Sequence, residues 1–323
     1  MCTAISYRNG SHYFGRNLDL EHWFCETVTV TPRNFPFAFR SGNSLDKHYA
    51  MIGIASVVDG YPLYYDATNE HGLSMAGLNF PGNAVYFPPD PAKQNLTPYE
   101  LIPWILGKYK SVTDLRSFLP KLNITDLPFS DTLPLSPLHW MISDKHQSIV
   151  LESSAAGLQC YQNPIRVLTN NPPFPFHLQN ISNYLSLTAD VPTNRFAPSL
   201  DLQVYSRGMG GIGLPGDLSS ASRFVRAAFT LHNSVAKPTE DEPVNQFFHI
   251  LGSVTQQSGC VKIGKDFEKT LYSSCCNTDQ GIFYYKTYNN SAITAIRLKN
   301  CCCDASELQT FPLRKEPAIF YEN

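Results

Sequence analysis

Ten short runs with strand character, crowded toward both ends of the chain and joined by tight turns, restrict the fold more than any other feature. They are Thr3–Tyr7, Thr27–Thr31, Ala50–Val58, Leu63–Asp66, Leu73–Leu78, Leu138–Asp144, Ser148–Ser153, Leu271–Cys276, Ile282–Tyr288 and Ala292–Leu298. Each carries period-two alternation or an enrichment in β-branched residues. Several neighbours are separated only by turn-forming segments such as Asn69-Glu70-His71-Gly72, Asp144–Gln147 and Tyr288–Ser291. Such links are too short for the crossover that parallel pairing needs, so these strands are expected to form antiparallel hairpins.

Capping residues mark the helices. Thr97-Pro98-Tyr99-Glu100 has the pattern of a capping box with proline at the first helical position, and predicts a helix over Leu101–Lys108. Ser111-Val112-Thr113-Asp114 predicts a second helix ending before Pro120. Ser219–Ser222 leads into Arg223–Asn233, where Phe224, Ala227, Ala228 and Leu231 follow helical spacing, and Pro243–Gly252 reads as a fourth helix. The proline-rich stretches Pro88–Pro91, Pro134–Pro137 and Pro172–Pro175 look like loop corners, and no repeat is visible. The expectation is one α+β domain in which helices cover antiparallel sheets.

Charge and hydropathy exclude several functions. Lys+Arg 25 against Asp+Glu 27 leaves a formal charge of −2, which offers no electrostatic footprint for nucleic acid or anionic lipid. The longest apolar run, Met51–Val58, is far short of the ~18 residues of a membrane span. The opening MCTAISYRNGSHYF has neither a basic n-region nor an apolar h-region, so no signal peptide is expected and a cytoplasmic location is. The nine cysteines, at 2, 25, 160, 260, 275, 276, 301, 302 and 303, are odd in number and partly adjacent. That pattern suits reduced thiols better than a disulfide framework. Without a C-x-x-C or H-x-x-x-H pair, a metal site is not expected either. Cys301-Cys302-Cys303 is expected on a strand, with 301 and 303 on one face. A cysteine-rich thiol- or metal-binding protein is the non-enzymatic alternative.

Two glycine motifs fail on context. Gly208-Met209-Gly210-Gly211-Ile212-Gly213 matches G-x-G-x-x-G after a possible strand Leu202–Tyr205, but Leu214-Pro215-Gly216-Asp217 delays any helix to about Ser219. A dinucleotide site needs the helix to start at the glycines. Gly259–Lys265 resembles a phosphate loop, yet Asp266 stands where a magnesium-binding hydroxyl is required.

Position 2 is the informative one. Removal of Met1 would leave Cys2 with a free α-amine beside its own thiol, so one residue would carry nucleophile and base together. Arg8-Asn9-Gly10 reads as a three-residue hairpin loop that pairs Tyr7 with Ser11 and sets Cys2 opposite Arg16. A two-residue Asn-Gly turn would place Asn17 there instead. A guanidinium beside the thiol favours thiolate, and Asp19 lies within reach of the new ammonium.

These residues belong to a wider set of motifs. Met1-Cys2-Thr3, Phe14-Gly15-Arg16-Asn17-Leu18-Asp19, Ala76-Gly77-Leu78-Asn79-Phe80-Pro81, Leu138–Asp144, Leu168-Thr169-Asn170, Gly213–Asp217 and Ser222-Arg223-Phe224 occur in order along nearly the whole chain. Together they resemble the choloylglycine hydrolase family, which contains bile salt hydrolases and penicillin V acylases and belongs to the N-terminal-nucleophile hydrolases. The resemblance implies a four-layer αββα sandwich over residues 2–323 after loss of Met1, and hydrolysis of a non-peptide-bond amide without a cofactor. By motif position it implies Cys2 as nucleophile and Arg16, Asp19, Asn79, Asn170 and Arg223 as the remaining catalytic residues. Asn79, where penicillin V acylases tend to have tyrosine, points to conjugated bile salts, cleaved to free bile acid plus glycine or taurine; penicillin V is the alternative substrate. The Ser206-Arg207-Gly208 loop resembles that of taurine-preferring members. A steroid pocket is expected to draw on Leu18, Phe24, Phe129, Leu135 and Ile142, all equally ordinary core candidates. The segment around Pro192–Gly216 resembles the family's subunit-assembly loop and implies a homotetramer. Acyl transfer to other amines is a secondary expectation from a thioester intermediate.

Overall fold

A computed structural model describes residues 1–323. Fifteen strands build its two large sheets: β1 (Cys2–Asn9), β2 (Ser11–Leu20), β3 (Glu26–Thr31), β4 (Met51–Val58), β5 (Tyr61–Asn69), β6 (Ser74–Asn79), β7 (Leu138–Ser143), β8 (Ser148–Ser154), β9 (Gly157–Gln162), β10 (Val167–Leu168), β11 (Val261–Ile263), β12 (Asp266–Asn277), β13 (Ile282–Thr287), β14 (Thr294–Arg297) and β15 (Gln309–Pro312). One sheet runs β10-β1-β2-β12-β13-β14 with β11 paired to β12; the other runs β9-β8-β7-β6-β5-β4-β3-β15. Every pairing in both is antiparallel, and the short turns account for this in the hairpins.

Alternation along the strands decides which layer each side chain enters. In β4, Ile52 and Ile54 join the core shared by the two sheets, while Met51 and Ala55 join a second core beneath helix α1 (Leu101–Lys108). β7 and β8 divide in the same way. Met141 and Val150 face the shared core; Trp140, Ile142, Ile149 and Leu151 face the helix side. Helices α4 (Ser220–Asn233) and α5 (Asp241–Gly252) pack on the opposite sheet, burying Phe224, Ala227, Phe247 and Phe248. The layers are therefore α1 with the short α2 (Val112–Leu115), sheet, sheet, and α4 with α5. Helix α3 (Phe174–Asn180) lies beside α4. This is the expected four-layer αββα sandwich.

Several local expectations need correction. The second helix ends before Pro120 as expected but is only one turn long, and a 3₁₀ turn follows at Leu119–Lys121. Leu202–Tyr205 forms no strand and stands exposed. Cys301–Cys303 follows a 3₁₀ turn and is not on a strand, although Cys301 and Cys303 are half-buried and Cys302 exposed.

The first hairpin also departs from its expected register. Asn9 pairs with Ser11 around Gly10, whose φ of +68° is the left-handed conformation that glycine tolerates. Cys2 is thus opposite Leu18, and Arg16 is opposite Ala4. The slip is two residues rather than one, so the side-chain parity is kept and Arg16 remains on the same face as Cys2, one diagonal away. A long side chain spans that diagonal.

Candidate active site

The site begins at the first residue of β1 and is closed by four distant segments. Arg16 comes from β2, and its Nη2 donates to Cys2 Sγ at 2.5 Å. The same guanidinium donates from Nη1 to the carbonyl oxygens of Gly77 at 2.5 Å and Tyr65 at 3.1 Å. Those two carbonyls belong to the opposing sheet, so Arg16 crosses the sandwich and is held rigidly at the thiol. Gly15, the residue before it, lets β2 lie close against β12, since a Cβ there would collide with the Ser274 carbonyl oxygen. Arg16 is 1% exposed. Burial disfavours its charge, but Cys2, Tyr272, Asp66 and Asp19 outweigh that and hold the guanidinium above its usual range.

Asn170 follows β10 in a loop, and its side chain uses both ends. Oδ1 accepts from the Cys2 backbone N–H at 2.8 Å and from Arg223 Nη2 at 2.7 Å, while Nδ2 donates to the Asn79 carbonyl oxygen at 2.7 Å. Arg223, in the first turn of α4, donates from Nη1 to the Cys2 carbonyl oxygen and to Thr3 Oγ1, both at 2.6 Å. A fully buried cation at a helix start opposes the helix dipole, and its pairing to the nucleophile's own backbone accounts for its place there.

Asp19, also buried, lies 3.9 Å from Arg223 and accepts from Thr270 Oγ1 at 2.6 Å through Oδ1. Its Oδ2 has no hydrogen-bond partner. Burial pushes its carboxyl above the usual range, against the pull of Arg223 and Thr270. Met1 is held by the backbone of Asp19 in both directions, its ammonium donating to the Asp19 carbonyl oxygen and its carbonyl accepting from the Asp19 N–H. The ammonium also pairs with the buried carboxylate of Glu268, and burial lowers its pKa.

Cys2, Arg16, Asp19, Asn170 and Arg223 therefore meet at one point, and Asn79 adjoins them through its carbonyl. The apolar candidates divide. Leu18 is Cys2's cross-strand partner and is buried. Phe24 is 56% exposed, Leu135 is half-buried in a loop, and Arg207 is exposed. Ile142 is a correction: it points to the helix-side core, because β7 sends odd and even positions to opposite faces. Phe129 is committed to an aromatic group with Tyr61 and Tyr99, with Arg40 over its ring. Sequence reasoning missed Thr3, Thr270, Glu268 and the Gly77 and Tyr65 carbonyls. Backbone acceptors leave no signature in side-chain identity, and Glu268 and Thr270 carry no motif.

Comparison with known proteins shows the family of the chain. The model of linear amide C–N hydrolases, choloylglycine hydrolase family, matches residues 2–311. A bile salt hydrolase/transferase of Lactiplantibacillus plantarum is 54% identical, with 100% of each chain covered. A conjugated bile acid hydrolase of Lactobacillus gasseri is 36% identical over 96% of this chain and 100% of its own. The crystal structure of a conjugated bile acid hydrolase variant from Clostridium perfringens superposes with a TM-score of 0.92 at 36% identity, covering 100% of both chains. Penicillin V acylase from Agrobacterium tumefaciens shares the fold at a TM-score of 0.76 and 17% identity, covering 99% of this chain and 94% of its own.

Proposed function

The chain belongs to the choloylglycine hydrolase family of linear amide C–N hydrolases, and from that premise we propose that it cleaves the amide of conjugated bile salts to a free bile acid and glycine or taurine, with Cys2 as N-terminal nucleophile. The observation that carries the reading is the convergence of Arg16 on the Cys2 thiol and of Asn170 on the Cys2 nitrogen. Cys2 is 2% exposed while Met1 is in place. Loss of Met1 turns the Cys2 nitrogen into an α-amine, already directed by Asn170, and opens the thiol to substrate. Residues 2–323 then act as one catalytic unit. The unpartnered Oδ2 of Asp19 suits the charged form of that amine.

The steps follow from these positions. The α-amine takes the thiol proton, and the thiolate, stabilised by Arg16, attacks the amide carbon. The Asn79 side chain and a backbone N–H stabilise the oxyanion. The α-ammonium returns its proton to the departing nitrogen as the C–N bond breaks, which leaves a thioester on Cys2. Water, deprotonated by the amine, hydrolyses the thioester and restores the thiol. Another amine in place of water would give acyl transfer. Leu18 and the exposed Phe24 would face the steroid, with Leu135 from its half-buried loop. Arg207 would meet the sulfonate of taurine as a charge-assisted partner.

An exposed apolar series in the loop region, Leu185, Val191, Phe196, Leu200, Leu202, Val204, Tyr205 and Ile212, supports a homotetramer assembled through this segment. The test of the mechanism is intact mass together with turnover of taurocholate, glycocholate and penicillin V. The expected results are a chain lacking Met1, faster cleavage of the bile salts, and no cleavage by Cys2→Ala. A fully active protein that retains Met1, or an active Cys2→Ala variant, overturns the mechanism. Penicillin V as by far the best substrate overturns the substrate.

A further inference from the structure

Behind the catalytic residues lies a buried histidine that none of the steps above uses. His139, on β7, is fully buried and touches both loops that flank Cys2. Its ring stacks flat on Phe80, the residue after Asn79, with centroids 4.3 Å apart and planes at 5°. Its Nε2 lies 2.9 Å from the Thr169 carbonyl oxygen, next to Asn170. Its Nδ1 lies 3.0 Å from Glu152 Oε1, and that carboxylate also accepts from the Phe174 N–H at 2.9 Å. One side chain thus contacts the loop of the oxyanion residue and, directly and through Glu152, both ends of the loop that carries Asn170.

The chemistry of the contacts fixes the ring's role. A carbonyl oxygen only accepts, so Nε2 donates to Thr169, while Nδ1 shares a hydrogen bond with the Glu152 carboxyl group. The ring and Glu152 form a buried hydrogen-bonded pair in which each partner has further bonds. Such a pair tolerates little displacement, because either partner moved away would leave a buried polar group unsatisfied. The other titratable groups at this loop are Arg223, whose Nη2 donates to Asn170 Oδ1, and His177 of α3, whose Nε2 donates to the Asn170 carbonyl oxygen at 3.0 Å and whose Nδ1 has no partner. The two loops also meet directly: Asn170 Nδ2 reaches the Asn79 carbonyl oxygen and Asn171 Nδ2 the Pro81 carbonyl oxygen, both at 2.7 Å.

We propose that His139, fixed by Glu152, is a positioning residue that sets the Asn79–Pro81 loop and the Thr169–Phe174 loop at their mutual distance, so that the oxyanion donor meets the carbonyl oxygen and the α-amine the departing nitrogen of the same amide. The inference rests on the N-terminal-nucleophile reading given above. Because both loops act on the transition state, a loosened clamp lowers kcat and leaves KM nearly unchanged. A misplacement on the order of 1 Å costs about 10²-fold.

The test compares His139→Leu, Glu152→Ala and Glu152→Gln in the processed enzyme. His139→Leu and Glu152→Ala are expected to lose about 10²-fold in kcat with KM within about threefold. Amide hydrogen exchange is expected to rise in peptides spanning 79–82 and 169–174 and not in α5. Glu152→Gln can still accept from the Phe174 N–H and hydrogen-bond His139, so it is expected to keep kcat within about tenfold. Should His139→Leu keep its kcat, or lose kcat while both loops exchange as in the parent, the clamp is refuted. An equal loss in Glu152→Gln and Glu152→Ala refutes the role of the pair. Activity in Cys2→Ala would instead refute the reading beneath it.

Discussion

Replacing Asn170 by alanine tests the heart of the site, because that side chain holds three groups together. The substitution removes acceptance from the Cys2 nitrogen and from Arg223, and donation to the Asn79 carbonyl, all at 2.7–2.8 Å. Bonds to charged groups contribute about 1.5–3 kcal/mol and neutral ones about 1 kcal/mol. Water entering the vacated space recovers part of this, so a loss of about 3–5 kcal/mol is expected. At about 2.1 cal/mol/K per residue, a chain of 323 residues shifts its midpoint by about 1.5 °C per kcal/mol. The expected fall in Tm is therefore about 4–7 °C, and the protein remains folded. The kinetic loss should be larger in effect. Proton transfer by a positioned group is worth about 10²–10⁴-fold, and that factor is expected to leave kcat/KM for taurocholate. Asn170→Asp is the companion variant, since it keeps the acceptor but sets a carboxylate oxygen against the Asn79 carbonyl; it should fall between parent and alanine. The assay is initial-rate release of taurine alongside a thermal melt. A folded Asn170→Ala enzyme within tenfold of the parent would refute the claim that this residue directs the amine.

Other perturbations probe different levels of the structure. Gly15→Ala places a Cβ against the fixed Ser274 backbone, so it should cost about 3 kcal/mol or more and lower the urea midpoint; a neutral result would mean that β2 and β12 lie further apart. Burial holds His12 at a pKa of about 3, well below its usual value, between the hydroxyls of Ser6 and Thr278. A depressed pKa contributes stability above the unfolded value near 6.5, and that contribution is lost as pH falls toward 3. Urea midpoints measured from pH 7 to 4 should therefore decline, and less steeply in His12→Gln. Phe196→Asp combined with Tyr205→Asp should shift size-exclusion mass toward smaller species if the exposed loop joins subunits; an unchanged mass would place the interface elsewhere.

Much of the fold is legible in the chain because hairpins and capped helices are local events. The turn at Asp144–Gln147 closes with Asp144 N–H on the Gln147 carbonyl oxygen at 3.0 Å, and Thr97 donates to the Glu100 carboxylate at 3.0 Å at the start of the first helix. The register of β1 against β2 was less legible. Arg8-Asn9-Gly10-Ser11 fits loops of several lengths, and the choice among them depends on how both strands pack against β12 and the opposing sheet. The even slip preserved the face of Arg16, so its pairing with the thiol survived an incorrect alignment. Ile142 failed for a related reason. Its apolar character marks it as buried, but only the position of β7 in its sheet says which core receives it.

What the chain determined by itself is therefore chemical: a cysteine at position 2, a glycine in the first hairpin turn, alternation that makes antiparallel strands, and motifs that identify a family. What tertiary structure alone decided is the assembly of the site. Asn170 and Arg223 reach Cys2 from 168 and 221 residues away, and Arg16 reaches carbonyls on the opposing sheet. Those bonds hold buried charge, and a buried charge is stable only where fixed partners surround it. No local propensity specifies such partners; they exist only once two sheets and a helix have closed on the first residue of β1.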